Sequence, residues 1–381
     1  MQDDARLLLI PGPVSVGDDV LAALGRPVAA HYGDAWVAFY NDLRERLRAI
    51  VGTGGTVYPL FGPGTAGIEM SMASVLARGD EIVVGTTGYF GDRLATIARA
   101  LGLTVHEVRS EPLRPLRREE VVEALNAHPQ ARAFAVVHND TSLGLLNPID
   151  ELCTLAKERG LLTLVDAVAS LGGVELQMDA WGIDLVVGTG NKALAAPVGI
   201  AVVAAGKDAW RAVDDGRPKV AGWYLNLATW REAESHEAGH PTPTTMPSSV
   251  FEALGASLDR IDREGGVAEH QARSARAAVR VRSGLKELGI EAVLPEAYAA
   301  PTVTAFWVPD GMQFADYASW LRSNHGMRIG GGLPPWEGRQ FRIGHMGRAA
   351  DPDVIDAYLR ATGEYLETRG LHPAAPASTA G

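Results

Sequence analysis

The sequence predicts an α/β fold: a large domain built on a mostly parallel sheet covered by helices, followed by a smaller C-terminal α+β domain. Between residues 56 and 205, seven short apolar runs alternate with amphipathic stretches. Strands buried on both faces read as near-continuous hydrophobic runs, and helices between them supply the covering layers. Past residue 250 the pattern changes to one long helical segment and then three short strands with two helices. A chain of 381 residues has room for both units.

In order along the chain, a mobile start leads into LLLIPGPVSV, an extended arm whose direction Pro11 and Pro13 fix. WVAFYNDLRERLRAIVG has helical apolar spacing and ends at a glycine. Strands are expected at TVYPLF, EIVVG, TVHEV, AFAVVH, LLTLVD, IDLVVG and GIAVVAA. The helices between them are AGIEMSMASVLARG, FGDRLATIARALG, REEVVEALNAH and IDELCTLAKERG. From about residue 205 the pattern loosens, with Trp, Gly and Pro spread over 210–247. A helical segment starting at SSVFEALGASLDRIDREGG runs on to about residue 288. Then TVTAFWVP, MRIGGG and FRIG read as strands, FADYASWLRSN and DVIDAYLRATGEYLE as helices, and LHPAAPASTAG as a disordered tail. The expected division is an arm over 1–20, a large domain over 21–250, a small domain over 251–370 whose first long helix joins the two, and a tail over 371–381.

A formal charge of -11 argues against nucleic acid or an anionic membrane surface as the main partner. The single cysteine, Cys153, excludes an intramolecular disulfide framework. MQDDARLLLIPGP lacks the basic start and long apolar run of a signal peptide, and no stretch reads as a membrane span. A soluble cytoplasmic protein is expected.

Two motifs invite other readings. Gly62, Gly64 and Gly67 match the G-x-G-x-x-G of dinucleotide sites, after a strand and at the start of a helix. That fold wants an acid at the end of the next strand, but Asp80 and Glu81 lie at its start and its end reads Gly85-Thr86-Thr87. The glycines still let backbone N–H groups approach another phosphate at a helix N-terminus. His236-Glu237-Ala238-Gly239-His240 matches the H-E-x-x-H of zinc proteases, which works only on a helix. Gly239 and the following PTPTTMP oppose a helix, so a polar loop is the expected reading and a metalloprotease the distant rival.

Four strand ends carry polar groups: the Gly64-Thr65 turn after TVYPLF, His138 to Gly144 after AFAVV, Asp166 after LLTLV, and Asn191-Lys192 after IDLVVG. In an open parallel sheet such ends converge on one crevice. Lys192 stands among Gly, Ala and Pro, with neither the polar neighbours of a surface lysine nor the acids of an ion pair. Taken singly, Asp166 also fits a turn cap, Lys192 a lysine lying along an apolar surface, and Phe90 plain core. Together an acid, a lysine, hydroxyls and a phosphate-ready turn suit pyridoxal phosphate: the lysine forms the Schiff base and the aspartate pairs with the ring nitrogen.

From LLLIPGPVSV to FRIGHMG the chain resembles the class V, fold type I pyridoxal-phosphate aminotransferases of the alanine–glyoxylate and serine–pyruvate type. FGPGTAGIEM is similar to the family's phosphate turn, GYFGDR to its ring-stacking segment and HNDTSLGLLNPID to its H-x-E-T/S-S-x-G-x-x-N-P-I segment. VDAVASLGG resembles the aspartate strand, GTGNKALAAPVG the lysine segment and FRIGHMG the arginine strand. The resemblance implies that Lys192 forms the Schiff base and moves the proton, that Asp166 holds the ring nitrogen protonated, and that Phe90 stacks on the ring. It implies Thr141 at the phenolic oxygen and Gly64, Thr65 and Asn191 at the phosphate, with Thr242 and Thr245 reaching it from the partner of a homodimer. Arg342 would clamp the substrate carboxylate, a match of fork to fork that chemistry favours independently. Backbone near Gly12 would help close the pocket.

The chain also departs from the pattern. Pro63 sits in the phosphate turn where alanine–glyoxylate enzymes carry a small hydroxyl residue, Asp140 replaces the usual Glu, and Asn191 replaces a Gln. Asn-Lys echoes the 2-aminoethylphosphonate–pyruvate and pyridoxamine–pyruvate branches; HNDTS and RIGHMG also echo the latter, which carries a substrate-binding Glu where Pro63 stands. His31-Tyr32-Gly33-Asp34 replaces a common H-R-S. The expected activity is ping-pong transamination between a small amino acid such as alanine or serine and a 2-oxo acid such as pyruvate or glyoxylate. The alternatives are lyase or decarboxylase chemistry on the same cofactor, an amine–pyruvate transaminase, and a ligand-sensing protein without turnover.

Overall fold

The structure is a computed structural model that describes residues 7–234 and 239–371. The expected mobile start, all but the first residue of the expected tail, and His236, Glu237 and Ala238 of the H-E-x-x-H match lie outside the described residues.

The strands in chain order are β1 (Leu7–Leu9), β2 (Thr56–Phe61), β3 (Glu81–Thr86), β4 (Thr104–Arg109), β5 (Ala133–Val137), β6 (Asn139–Asp140), β7 (Leu145–Leu146), β8 (Leu162–Asp166), β9 (Leu185–Thr189), β10 (Ile200–Ala205), β11 (Val303–Trp307), β12 (Met327–Gly331) and β13 (Gln340–Gly344). The first helices are α1 (Asp18–Leu24), α2 (Asp34–Val51), α3 (Gly64–Val75), α4 (Tyr89–Ala100), α5 (Arg118–Ala127) and α6 (Ile149–Glu158). They are followed by α7 (Lys207–Val213), α8 (Leu227–Glu234), α9 (Ser248–Arg263), α10 (Gly266–Glu287), α11 (Phe314–His325) and α12 (Pro352–Thr368).

The apolar runs build a seven-stranded sheet in the order β2-β10-β9-β8-β5-β3-β4. Neighbours from β9 to β4 are parallel, and β10 is antiparallel to both β9 and β2. The reversal follows from chain length. A parallel crossover needs a dozen or more residues, and only 190–199 join β9 to β10. Strands β5, β9 and β10 are buried at every position, as expected of a sheet covered on both faces.

A second sheet has the order β1-β12-β13-β11. The expected arm is thus partly a strand: β1 pairs in parallel with β12, Leu8 opposite Arg328. A separate core backs this sheet, with Tyr317, Phe341, Tyr358 and Tyr365 at its centre. The Tyr317 hydroxyl donates to that of Tyr358 at 3.0 Å, and it lies 2.7 Å from that of Thr362. The long helical segment is two helices, broken where Gly265 and Gly266 take φ of 111° and 81°, values open to glycine but costly for other residues. Helix α9 buries Phe251, Leu254, Leu258 and Ile261 in the core of the large sheet. Helices α1, α7 and α8 have no counterpart in the sequence reading. No helix among the described residues is long and apolar enough to cross a membrane.

Candidate active site

Because β2, β3, β5, β8 and β9 point the same way, their C-terminal ends meet at one edge of the sheet. A cavity of about 190 Å³ opens there, lined by residues that include Gly64, Thr65, Phe90, Thr141, Asp166, Asn191 and Lys192. Seven residues from five separate segments therefore share one space.

Each wall has a local cause. Strand β2 ends at Phe61 and α3 begins at Gly64 with Pro63 extended before it. The first N–H groups of a helix have no intrahelical acceptor, so Gly64 and Thr65 present donors and the positive dipole end to the cavity. A Cβ on Gly64 would lie 2.5 Å from Val168 Cγ2, so only glycine lets the turn pack against the aspartate loop. On that loop Asp166, at the end of β8, accepts a bond from Val168 N at 2.9 Å through Oδ1. Among the described residues no donor reaches its Oδ2. Burial is the main cause that pushes the Asp166 carboxyl up to about 6. A cationic ring nitrogen beside it would supply the missing partner and reverse that shift.

Lys192 follows β9 and the Thr189–Asn191 turn, in which Thr189 donates to Asn191 Oδ1 at 2.7 Å. Its Nζ donates to the Pro11 carbonyl at 2.6 Å. Burial first, and then the charge of Arg342, brings the Lys192 amine down to about 8. A lysine so depressed is ready to act as a nucleophile or base near neutral pH. Gly12 lies against it: at φ 118°, a Cβ there would stand 2.5 Å from Lys192 Cδ.

Arg342, on β13, donates Nε to Gly331 O at 2.8 Å and Nη1 to Thr141 O at 3.0 Å. It is 9% exposed, and burial lowers its pKa to about 10. These bonds tie the guanidinium to the backbone of the loop that carries Thr141, which lines the cavity; Arg342 and Gly12 themselves are not among the lining residues. Thr242 and Thr245 are not brought to this space. They line a different concavity with His31, Trp223 and His240. Gly239 there has φ 71°, outside the helical region that a zinc-protease motif needs.

The roles of two further contributors were not legible in the sequence. Asp140 is fully buried, and its Oδ2 accepts from Phe90 N at 3.1 Å and Gly91 N at 3.2 Å. Its Oδ1 accepts from Ser142 N at 3.0 Å and Ser142 Oγ at 2.5 Å. One carboxylate thus ties the start of α4, which carries Phe90, to the loop that carries Thr141. Arg93 also lines the cavity, its guanidinium carbon 5.0 Å from the centre of the Phe90 ring. Its position three residues after Phe90 on a helix was the available signal.

Residues 22–334 match the family described as "Aminotransferase class-V". An aminotransferase of Methanocaldococcus jannaschii is 33% identical over 92% of this chain and 90% of its own. The mouse alanine–glyoxylate aminotransferase is 30% identical over 95% of this chain and 88% of its own. The crystal structure of alanine–glyoxylate aminotransferase from Nostoc sp. superposes with a TM-score of 0.91 at 30% identity, covering 96% of both chains. That of pyridoxamine–pyruvate aminotransferase from Mesorhizobium loti has a TM-score of 0.89 at 28% identity, over 96% of this chain and 93% of the other. A buried lysine and aspartate at the C-terminal edge of a mostly parallel sheet, with these matches over nearly the whole length, place the chain in the class V aminotransferase family as a transaminase of fold type I.

Proposed function

We propose that the protein is a pyridoxal-phosphate-dependent aminotransferase that moves an amino group from a small amino acid, alanine- or serine-like, to a 2-oxo acid such as pyruvate or glyoxylate. The observation that carries the proposal is Lys192, with its amine lowered to about 8, in one cavity with Asp166 and a helix N-terminus. The relatives named for alanine and glyoxylate support the substrate class.

The residues present fit the cofactor. Gly64, Thr65 and Asn191 would hold its phosphate, Asp166 its ring nitrogen, Thr141 its phenolic oxygen, Phe90 one ring face and Lys192 its aldehyde carbon. When bound, pyridoxal phosphate supplies that carbon to take up the amine and a ring to accept the electrons of the Cα–H bond. Lys192, whose amine is lowered to about 8, is the group placed to take the proton from Cα and return it. Asp166 would keep a positive charge on the ring nitrogen. Arg342 receives the substrate carboxylate and so fixes which bond at Cα faces Lys192. Thr242 and Thr245 would complete the phosphate site of a second copy, making the dimer the working unit. Their place outside the chain's own cavity and the 64% exposure of nearby Trp223 support this.

The test is product analysis with L-alanine and glyoxylate. Pyruvate and glycine formed one for one are expected. Release of ammonia or CO₂ in place of exchange would replace the proposal with lyase or decarboxylase chemistry.

A further inference from the structure

Three side chains outside the candidate active site meet at the outer edge of the large sheet. Glu81 opens β3, His106 lies on β4 opposite Val83, and His128 follows the last turn of α5. Each offers one ligand atom, all within 4.8 Å of one another, and each residue is half-buried. His106 Nε2 and Glu81 Oε2 are 2.8 Å apart, and the His106 and His128 rings stack with centroids 3.5 Å apart and planes 12° from parallel. Among the described residues no other three His, Cys, Asp or Glu side chains converge in this way.

We propose that Glu81, His106 and His128 form a binding site for a divalent transition-metal ion of the zinc class, with its remaining position open to water. Two imidazoles and one carboxylate form a donor set suited to zinc, nickel or copper, whereas calcium and magnesium take oxygen ligands. Ligands held about 2.0–2.1 Å from one such ion lie roughly 2.9–3.4 Å apart. The Glu81–His106 pair, at 2.8 Å, needs a shift of only a few tenths of an ångström. The stacked rings must splay to point at a shared ion. His128, at φ −125° and ψ 66° just past α5, keeps its N–H on Ala124 O at 3.0 Å, so the motion falls to its side-chain torsions.

The ion would join three segments far apart in sequence: the start of β3, the edge strand β4 and the end of α5. The site lies at the opposite end of β3 from the lysine cavity, roughly 17 Å along a strand of this length. Metal binding here is therefore a property of the scaffold's edge, separate from transamination.

The experiment is calorimetric titration of the purified full-length enzyme with ZnCl₂ in a non-coordinating buffer after chelator treatment and desalting. The expected result is a site of one zinc per chain with micromolar affinity, weakened at least tenfold in both His128→Asn and Glu81→Gln. Both variants should keep parental transaminase activity and circular dichroism, which shows that the fold is intact. A His240→Asn control should leave the isotherm unchanged. The same zinc stoichiometry and affinity in His128→Asn and the parent would overturn the proposal, as would no saturable binding at 1 mM zinc.

Discussion

Replacing Lys192 with Met should stabilise the cofactor-free protein at neutral pH, because a charge is held where charge is disfavoured. The Lys192 amine is lowered from 10.5 to about 8. In the folded state its ammonium is therefore penalised against the unfolded chain by about 3 kcal/mol at pH 7. A group depressed in this way costs stability while it is protonated in both states. The cost disappears as pH rises from the folded value toward the unfolded one, since the unfolded chain then binds more protons. At pH 10 the penalty falls to about 1 kcal/mol. Loss of the 2.6 Å bond to the Pro11 carbonyl offsets part of the gain, about 1.5–3 kcal/mol for a charged donor. The net gain at pH 7 is therefore small, on the order of 1 kcal/mol. The difference between the two pH values is the sharper number, because contributions that do not vary with pH cancel in it. Urea unfolding of cofactor-free parent and Lys192→Met at pH 7 and pH 10 should show the variant's relative stability higher at pH 7 by about 2 kcal/mol. An equal difference at both pH values would refute the electrostatic reasoning about this lysine.

Arg342→Gln should raise KM for alanine about a hundredfold, since two charge-assisted bonds to a carboxylate are lost; steady-state kinetics would check this, and an unchanged KM would show that the carboxylate binds elsewhere. Asp140→Ala leaves the N–H groups of Phe90, Gly91 and Ser142 without their buried acceptor. Its expected cost is about 2–4 kcal/mol of stability in denaturant unfolding, with weaker cofactor retention because Phe90 and Thr141 lose their common anchor. A variant with parental stability and cofactor content would leave Asp140 without that role.

The parts of the fold that could be read in the sequence were those with a local signal. Strands β3, β5, β8, β9 and β10 are rich in Val, Ile, Leu and Ala, and the amphipathic stretches between most of the expected strands appear as helices. Pairings set by distant segments were hidden. Nothing in LLL indicates that it joins Met327–Gly331 some 320 residues away. Helices α7 and α8 are short and lie among Trp, Gly and Pro, where seven or eight residues give too little periodicity to stand out. The break in the long helical segment was marked by Gly265-Gly266, but glycine identity does not reveal positive φ.

At the site, residues on strand ends were legible because a parallel sheet gathers such ends in one place. Asp140 stood within a quoted motif, yet its four bonds join segments fifty residues apart and are visible only in three dimensions. The same holds for Glu81, His106 and His128, whose spacing matches no linear metal motif. Thr242 and Thr245 show a different limit: their expected role needs a second copy, and one chain places them in another concavity.

Whether Lys192 and Asp166 form a cofactor site that exchanges amino groups is decided by the visible absorption spectrum of the purified protein. Protein supplied with pyridoxal phosphate should show a yellow band, bleached by L-alanine alone and restored by pyruvate or glyoxylate. The absence of any such band after the cofactor is added, with the protein folded, would leave Lys192 without a role in cofactor binding.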